Sequence, residues 1–150
     1  MHLFSFIHII IALLFILAGF ILSFYFYLVH DRGMDPEQWW MPKILRMTDC
    51  RCDEIVNTEF GLKFGYSNSF WGMGYYLLLF GIIIWNINTG FPPVEMIIVL
   101  VILAGCYSVY LIWALYLMRV LCRPCIGVHL INFALCILIL SKTYSLLFIR

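Results

Sequence analysis

Four long runs of apolar residues limit the folds open to this chain more than any other feature. The runs at residues 3–29 and 70–87 contain no Asp, Glu, Lys or Arg, and those at 94–117 and 126–149 contain one charged residue each. An α-helix of about 20 residues spans the hydrocarbon core of a bilayer. The sequence therefore predicts an all-α integral membrane protein, with a bundle of four transmembrane helices in a single domain over residues 1–150.

The composition agrees with burial in lipid and argues against other partners. Hydrophobic residues make up 65% of the chain and charged residues 11%, whereas soluble domains carry about 25% charged residues. The excess of apolar side chains predicts membrane lipid as a partner. The formal net charge is +1, which gives no electrostatic basis for binding nucleic acid.

A large polar loop, residues 30–69, joins the first two predicted spans and holds seven of the eight acidic residues. Asp35 followed by Pro36 is typical of a helix start, with Asp as the N-cap and Pro in the first turn. Trp39 and Trp40 follow with basic neighbours, a combination that favours the membrane interface. We expect a short interfacial helix between helices 1 and 2, and an ordinary loop with two buried tryptophans is the alternative.

Four of the six cysteines are predicted to lie on one face of the membrane. With four spans, the 30–69 loop and the junction between the third and fourth spans emerge on the same side. The loop carries Cys50 and Cys52, and the junction carries Cys122 and Cys125. The other two cysteines lie inside the third and fourth runs, where they are most simply small packing residues.

The motif Cys122-Arg123-Pro124-Cys125 suits thiol–disulfide chemistry. A helix N-terminus presents unpaired N–H groups and a partial positive charge, which favour the thiolate over the thiol. The thiolate is the reactive form in disulfide exchange, and two dithiols on one face can pass a disulfide between them. We therefore favour a redox relay and assign no metal. Plain structural disulfides and a four-cysteine zinc site are the alternatives.

A stripe of polar residues on the fourth span suggests where electrons leave the sulfurs. Cys125, His129 and Asn132 are spaced i, i+4 and i+7 and therefore line one side of a helix. Polar residues in a span usually face the bundle interior or a ligand. The stripe predicts a lipid-soluble electron acceptor, most simply a quinone. The alternative is an interhelical hydrogen bond from Asn132 and a histidine satisfied inside the bundle.

Three segments occur together along the chain: the C-x-x-C motif with Asn132 seven positions after it, Asn68–Gly72 at the start of the second span, and Phe60–Gly65 just before it. In this order and spacing they resemble the vitamin K epoxide reductase family over essentially the whole chain. The resemblance implies a four-helix bundle around a quinone of the vitamin K, menaquinone or ubiquinone type.

The resemblance also implies roles for individual residues. Cys125 would lie next to the quinone ring, and Asn68 would hydrogen-bond a quinone oxygen. His129, from the polar stripe on the fourth span, is the second predicted quinone-binding residue. Cys122 would exchange with Cys52. Cys50 would exchange with a separate thioredoxin-fold redox protein.

We therefore expect a quinone-dependent thiol–disulfide oxidoreductase that carries electrons from partner thiols to a membrane quinone and supports disulfide bond formation. Reduction of vitamin K epoxide or vitamin K quinone is the alternative. It is less favoured because family members that reduce the epoxide tend to carry tyrosine where this chain has His129. A non-catalytic membrane protein with a structural zinc site is the alternative from another class.

Two signals disagree on which side of the membrane the cysteines lie. Lys and Arg number seven on the loop-bearing face and two on the other face, which by the positive-inside rule favours the cytoplasm. Disulfide chemistry favours an oxidising compartment, the periplasm or the endoplasmic reticulum lumen. We follow the chemistry and expect the active cysteines on the oxidising side.

Overall fold

Four long helices dominate the computed structural model, which describes residues 2–49, 52, 54, 58–89 and 94–148. They are α1 (His2–His30), α2 (Asn68–Thr89), α3 (Val94–Met118) and α4 (Arg123–Phe148). All four are long and apolar enough to cross a membrane. The predicted all-α integral membrane fold with four spanning helices is confirmed.

The helices form a bundle in which α1 lies against both α2 and α4, while α3 packs chiefly against α4 and contacts α2 little. Their buried side chains fall into two clusters. The loop-side cluster comprises Leu22, Tyr25, Phe26, Met41, Met47, Cys52, Leu115 and Cys122. The far cluster comprises Ala12, Ile16, Tyr76, Leu79, Ile83, Ile97, Val101 and Leu135. The loop-side cluster therefore contains cysteines of the predicted relay, whereas the far cluster is aliphatic apart from one tyrosine.

Small residues let α1 and α2 approach closely. A Cβ atom on Gly19 would overlap the ring of Tyr76, and one on Gly72 would lie 2.9 Å from the hydroxyl oxygen of Ser23. Helices in a bilayer associate through this kind of close packing, because lipid supplies no hydrophobic drive between them. Gly19 thus allows the Tyr76 ring to lie at the centre of the bundle.

Tyr25 of α1 anchors the first half of the loop. Its hydroxyl donates to the backbone carbonyl of Pro36 at 2.8 Å and accepts from the backbone N–H of Met47 at 2.9 Å. The ring is fully buried and meets the ring of Trp40 edge-on, with 5.7 Å between centroids. One side chain therefore holds two separate points of the loop against the end of α1.

The helix predicted to begin at Asp35 does not form there. The Asp35 carboxylate accepts a hydrogen bond from the backbone N–H of Glu37 at 2.7 Å, which closes a local Asx-type turn instead. Short 3-10 helices follow at Lys43–Leu45 and Met47–Asp49. Trp39 is 89% exposed, so the side chain most suited to the membrane interface projects from turns and not from an α-helix.

A small hairpin delivers the chain to the start of α2. Strands β1 (Leu62–Lys63) and β2 (Tyr66–Ser67) pair antiparallel through a two-residue turn. Both turn residues, Phe64 and Gly65, have positive φ, at 54° and 82°, as a type I′ turn requires. The backbone N–H of Asn68 then bonds back across the hairpin to the residue before β1, at 2.9 Å. The hairpin thereby fixes the position of Asn68, the first residue of α2.

Candidate active site

The Cys122–Cys125 pair lies where α4 begins. The two residues form a disulfide, with Cα atoms 5.2 Å apart. Pro124 fits the first turn of the helix, where a backbone N–H has no helical partner to lose. The N–H of Ile126 donates to the carbonyl of Cys122 at 3.0 Å. The local sequence therefore holds both sulfurs at the N-terminal end of the helix.

Cys52 belongs to the same buried cluster as Cys122. Cys52 is 1% exposed and Cys122 is fully buried. Cys52 is also disulfide-bonded, whereas Cys106 and Cys136 are free. Cys50, the fourth cysteine of the predicted relay, lies outside the described residues. The fold thus brings a loop cysteine to the C-x-x-C motif, and the order of exchange stays a prediction.

A cavity of about 360 Å³ lies mainly in the loop-side half of the bundle, with walls from all four helices, and reaches Tyr76 of the far cluster. Cys125, Asn68 and His129, three of the predicted site residues, are part of its wall. Most of the remaining wall is apolar or aromatic, including Leu22, Phe26, Leu100, Leu103, Leu111 and Val128. A concave, mainly apolar site with a few polar groups is typical of small-molecule binding.

Asn68 reaches this cavity with its amide held at both ends. Its Nδ2 atom donates to the backbone carbonyl of Phe60, and its Oδ1 atom accepts from the hydroxyl of Tyr107 at 2.8 Å. A side-chain amide carries two N–H donors. Among the described residues, the second amide hydrogen of Asn68 has no partner, and the side chain lines the cavity.

Tyr107 is a site residue that the sequence did not single out. It lies on α3, 39 residues after Asn68, and no motif joins the two. The one available signal is a tyrosine inside an apolar span, because its hydroxyl needs a hydrogen-bond partner there. That signal is weak, since Tyr110 and Tyr116 lie on the same helix.

His129 and Tyr75 each carry a buried polar atom with no hydrogen-bond partner among the described residues. These atoms are Nδ1 of His129 and the hydroxyl oxygen of Tyr75, and both residues line the cavity. An unsatisfied polar group in an apolar interior is costly. A ligand that hydrogen-bonds to either group would remove part of that cost.

Asn132 bonds to neighbouring helices through both ends of its side-chain amide. The hydroxyl of Tyr76 donates to its Oδ1 atom at 2.8 Å, and its Nδ2 atom donates to the hydroxyl oxygen of Ser108 at 2.8 Å. The interhelical hydrogen bond given above as the alternative for Asn132 is the one observed. This network links α2, α3 and α4 at the wall of the cavity.

The cavity is not closed between α2 and α3. Trp71 of α2 and Leu103 and Tyr107 of α3 line it and are each at least 40% exposed. These two helices contact each other little. Both are long and apolar enough to cross a membrane, so an opening between them would face lipid.

A family model described as "Vitamin K epoxide reductase family" matches residues 9–140. The chain belongs to this family. The match covers every residue of the site described above and confirms the resemblance of the sequence. Comparisons with curated proteins and with solved structures find no significant match. Membership makes the chain a membrane thiol oxidoreductase of a family that generally uses quinones.

Proposed function

We propose that this member of the vitamin K epoxide reductase family is a quinone-dependent thiol–disulfide oxidoreductase that supports disulfide bond formation. Electrons would pass from the thiols of a thioredoxin-fold redox protein through Cys50 and Cys52 to Cys122 and Cys125, and then to a membrane quinone. One observation carries the proposal: Cys125 is half of a disulfide and also part of the cavity wall.

The cavity residues fit a quinone ring. A quinone is flat and apolar, with two carbonyl oxygens that accept hydrogen bonds, and the wall is mainly apolar and aromatic. The free amide hydrogen of Asn68 is a donor for one carbonyl oxygen. His129 is a donor for the other, because its Nδ1 atom has no partner among the described residues. A bound quinone supplies a two-electron, two-proton acceptor.

The cysteines of the chain supply the electrons. When Cys122 and Cys125 are both thiols, closing their disulfide releases two electrons and two protons. The N–H groups at the start of α4 favour the thiolate needed for this step. Exchange with the Cys50/Cys52 dithiol then reduces the pair again and oxidises the loop cysteines. The burial of Cys52 in one cluster with Cys122 supports this order.

The active cysteines are proposed to face an oxidising compartment, the periplasm or the endoplasmic reticulum lumen. Disulfides persist there, whereas cytosolic reductants keep thiols reduced in most cells. Labelling of single introduced surface cysteines with a membrane-impermeant reagent tests the side directly. Labelling of the 30–69 loop only after the cytoplasmic face is opened would contradict this part of the proposal.

The deciding experiment measures quinone reduction by the purified protein supplied with a reduced thioredoxin-fold protein. Wild type should produce quinol, and Cys125→Ala should lower the rate on the order of 100-fold or more. The matched control is Cys106→Ala, because Cys106 is a free thiol away from the cavity wall. Its rate should stay within about twofold of wild type. No quinone reduction, or full activity in Cys125→Ala, would contradict the proposal.

Reduction of vitamin K epoxide or vitamin K quinone is the second candidate function, and the family match supports it. The same purified protein separates the two candidates. With the same reduced thioredoxin-fold protein as electron donor in both assays, faster turnover of vitamin K epoxide than of quinone would favour epoxide reduction.

A structural zinc site is the candidate from another class. Among the described residues, which leave out Cys50, no group of three or more His, Cys, Asp or Glu side chains is placed to hold a metal ion. Elemental analysis tests this candidate. One zinc per chain, lost in Cys50→Ser, would favour it over the redox relay.

A further inference from the structure

Tyr107 forms a hydrogen bond with Asn68 that has no part in the cysteine relay. The hydroxyl of Tyr107 donates to Oδ1 of Asn68 at 2.8 Å. Both side chains line the cavity that contains Cys125. Tyr107 thus contacts the first residue of α2, whose side-chain amide lines the cavity.

This pair belongs to a closed circuit of side-chain contacts. The amide of Asn68 also donates to the carbonyl of Phe60. The ring of Phe60 lies 5.8 Å from the ring of Tyr110, which in turn stacks on Tyr107 with 6.0 Å between centroids. The loop, the first turn of α2 and one side of α3 are therefore joined around Asn68.

The circuit determines the orientation of the Asn68 side-chain amide. A backbone carbonyl only accepts hydrogen bonds, so the group that faces Phe60 is the NH₂ group. The hydroxyl of Tyr107 then fixes the oxygen end. Donation to an amide oxygen also polarises the amide and strengthens its N–H groups as donors. Without Tyr107, only one of the two bonds that hold the Asn68 amide would remain.

We infer that Tyr107 is a positioning residue for the quinone, one that orients and polarises the Asn68 amide so that its free N–H meets a quinone oxygen. The inference rests on the proposed function. The contribution grows as the oxygen gains negative charge during reduction, because charge-assisted hydrogen bonds are stronger than neutral ones. Tyr107 should therefore affect turnover of the quinone and not the exchange of disulfides.

Tyr107→Phe tests this role, since it keeps the ring and its stacking and removes only the hydroxyl. We expect kcat/KM for the quinone to fall about 3- to 10-fold, the size of one hydrogen bond. Thiol–disulfide exchange with the thioredoxin-fold protein, measured without quinone, should stay within about twofold of wild type.

Tyr110→Phe is the matched control. Its hydroxyl lies one helical turn away on α3, and within the described part of the chain no hydrogen bond to it is seen, while its ring makes the same kind of stacking contacts. Both measurements should match wild type within about twofold. An equal loss in Tyr110→Phe and Tyr107→Phe would overturn the inference, because it would show that general packing of α3 is responsible.

A double-mutant cycle tests whether Tyr107 acts through Asn68. In an Asn68→Ala background, Tyr107→Phe should change kcat/KM for the quinone by less than about twofold. The full effect in that background, or an equal loss of disulfide exchange in Tyr107→Phe, would overturn the inference. If wild type reduces quinone and Tyr107→Phe is unchanged, only this inference fails. If wild type reduces no quinone, the proposed function fails and this inference fails with it.

Discussion

The two halves of the bundle are built from similar apolar residues but in different ways. The loop-side half contains the cavity and the cysteines, and directed hydrogen bonds from Tyr25 and Asn68 hold it to the loop. The far half is filled by aliphatic side chains such as Leu79 and Leu135, which are fully buried. Helices in lipid associate through packing and hydrogen bonds. The far half is therefore filled by packed side chains, whereas the loop-side half contains most of a cavity.

The largest expected difference between the halves concerns two cysteines of the same helix. Cys125→Ser should lower quinone reduction on the order of 100-fold or more and trap a Cys52–Cys122 disulfide, because the thiol that resolves it is gone. Cys136→Ser, in the far half, should keep the rate within about twofold. Mass spectrometry of the non-reduced protein identifies the trapped bond. A Cys50–Cys122 disulfide in its place would reverse the roles given to the loop cysteines.

The next prediction compares leucines. Leu79→Ala should lower the free energy of unfolding by about 2–5 kcal/mol, since it leaves a void in a filled region. Leu115 lines the cavity, so it has already lost contacts on one side, and Leu115→Ala should cost less. Unfolding in detergent micelles, followed by circular dichroism, measures both. Equal costs would show that the loop-side half is packed as densely as the far half.

A smaller effect is expected at the anchor of the loop. Tyr25→Phe removes the two hydrogen bonds that its hydroxyl makes to the carbonyl of Pro36 and the N–H of Met47, at a cost of about 1–3 kcal/mol. The same change at Tyr116, which is largely exposed, is the control and should be nearly neutral. Protease cleavage of the 30–69 loop reports the loss. Unchanged cleavage in Tyr25→Phe would mean that other contacts hold the loop.

The smallest effect is expected at His129. His129→Ala should raise KM for the quinone by about 2- to 10-fold, the range for one hydrogen bond. Disulfide exchange should be unaffected, because the buried Nδ1 atom of His129 forms no hydrogen bond to any described residue. Steady-state kinetics with varied quinone measures the change. A matching loss of disulfide exchange would place His129 in the relay and not in quinone binding.

The spans could be predicted from the sequence because bilayer thickness alone sets their length and composition. The rotation of each helix could not. Apart from the polar stripe on α4, the helices are apolar on every side, so periodicity does not mark which face of α1, α2 or α3 is turned inward. The link between Tyr107 and Asn68 depends on that rotation and was therefore missed.

The site was predictable only where local sequence or the family resemblance gave a position. Cys125, Asn68 and His129 do meet at one cavity, and their roles there stay predictions. The helix start at Asp35 failed for a local and a non-local reason. The Asp35 carboxylate closes a turn with the N–H of Glu37, and the hydroxyl of Tyr25 binds the carbonyl of Pro36 from outside the segment.

The composition of the cavity wall limits the net charge that the cavity can hold. Among the described residues that form it, there is no Asp, Glu, Lys or Arg. A net charge left in such a low-dielectric space is costly without a counter-ion. Electrons delivered there from Cys125 would have to be matched by protons in the same turnover. The bundle would then transfer the equivalent of hydrogen atoms, and its interior would stay electrically neutral from one cycle to the next.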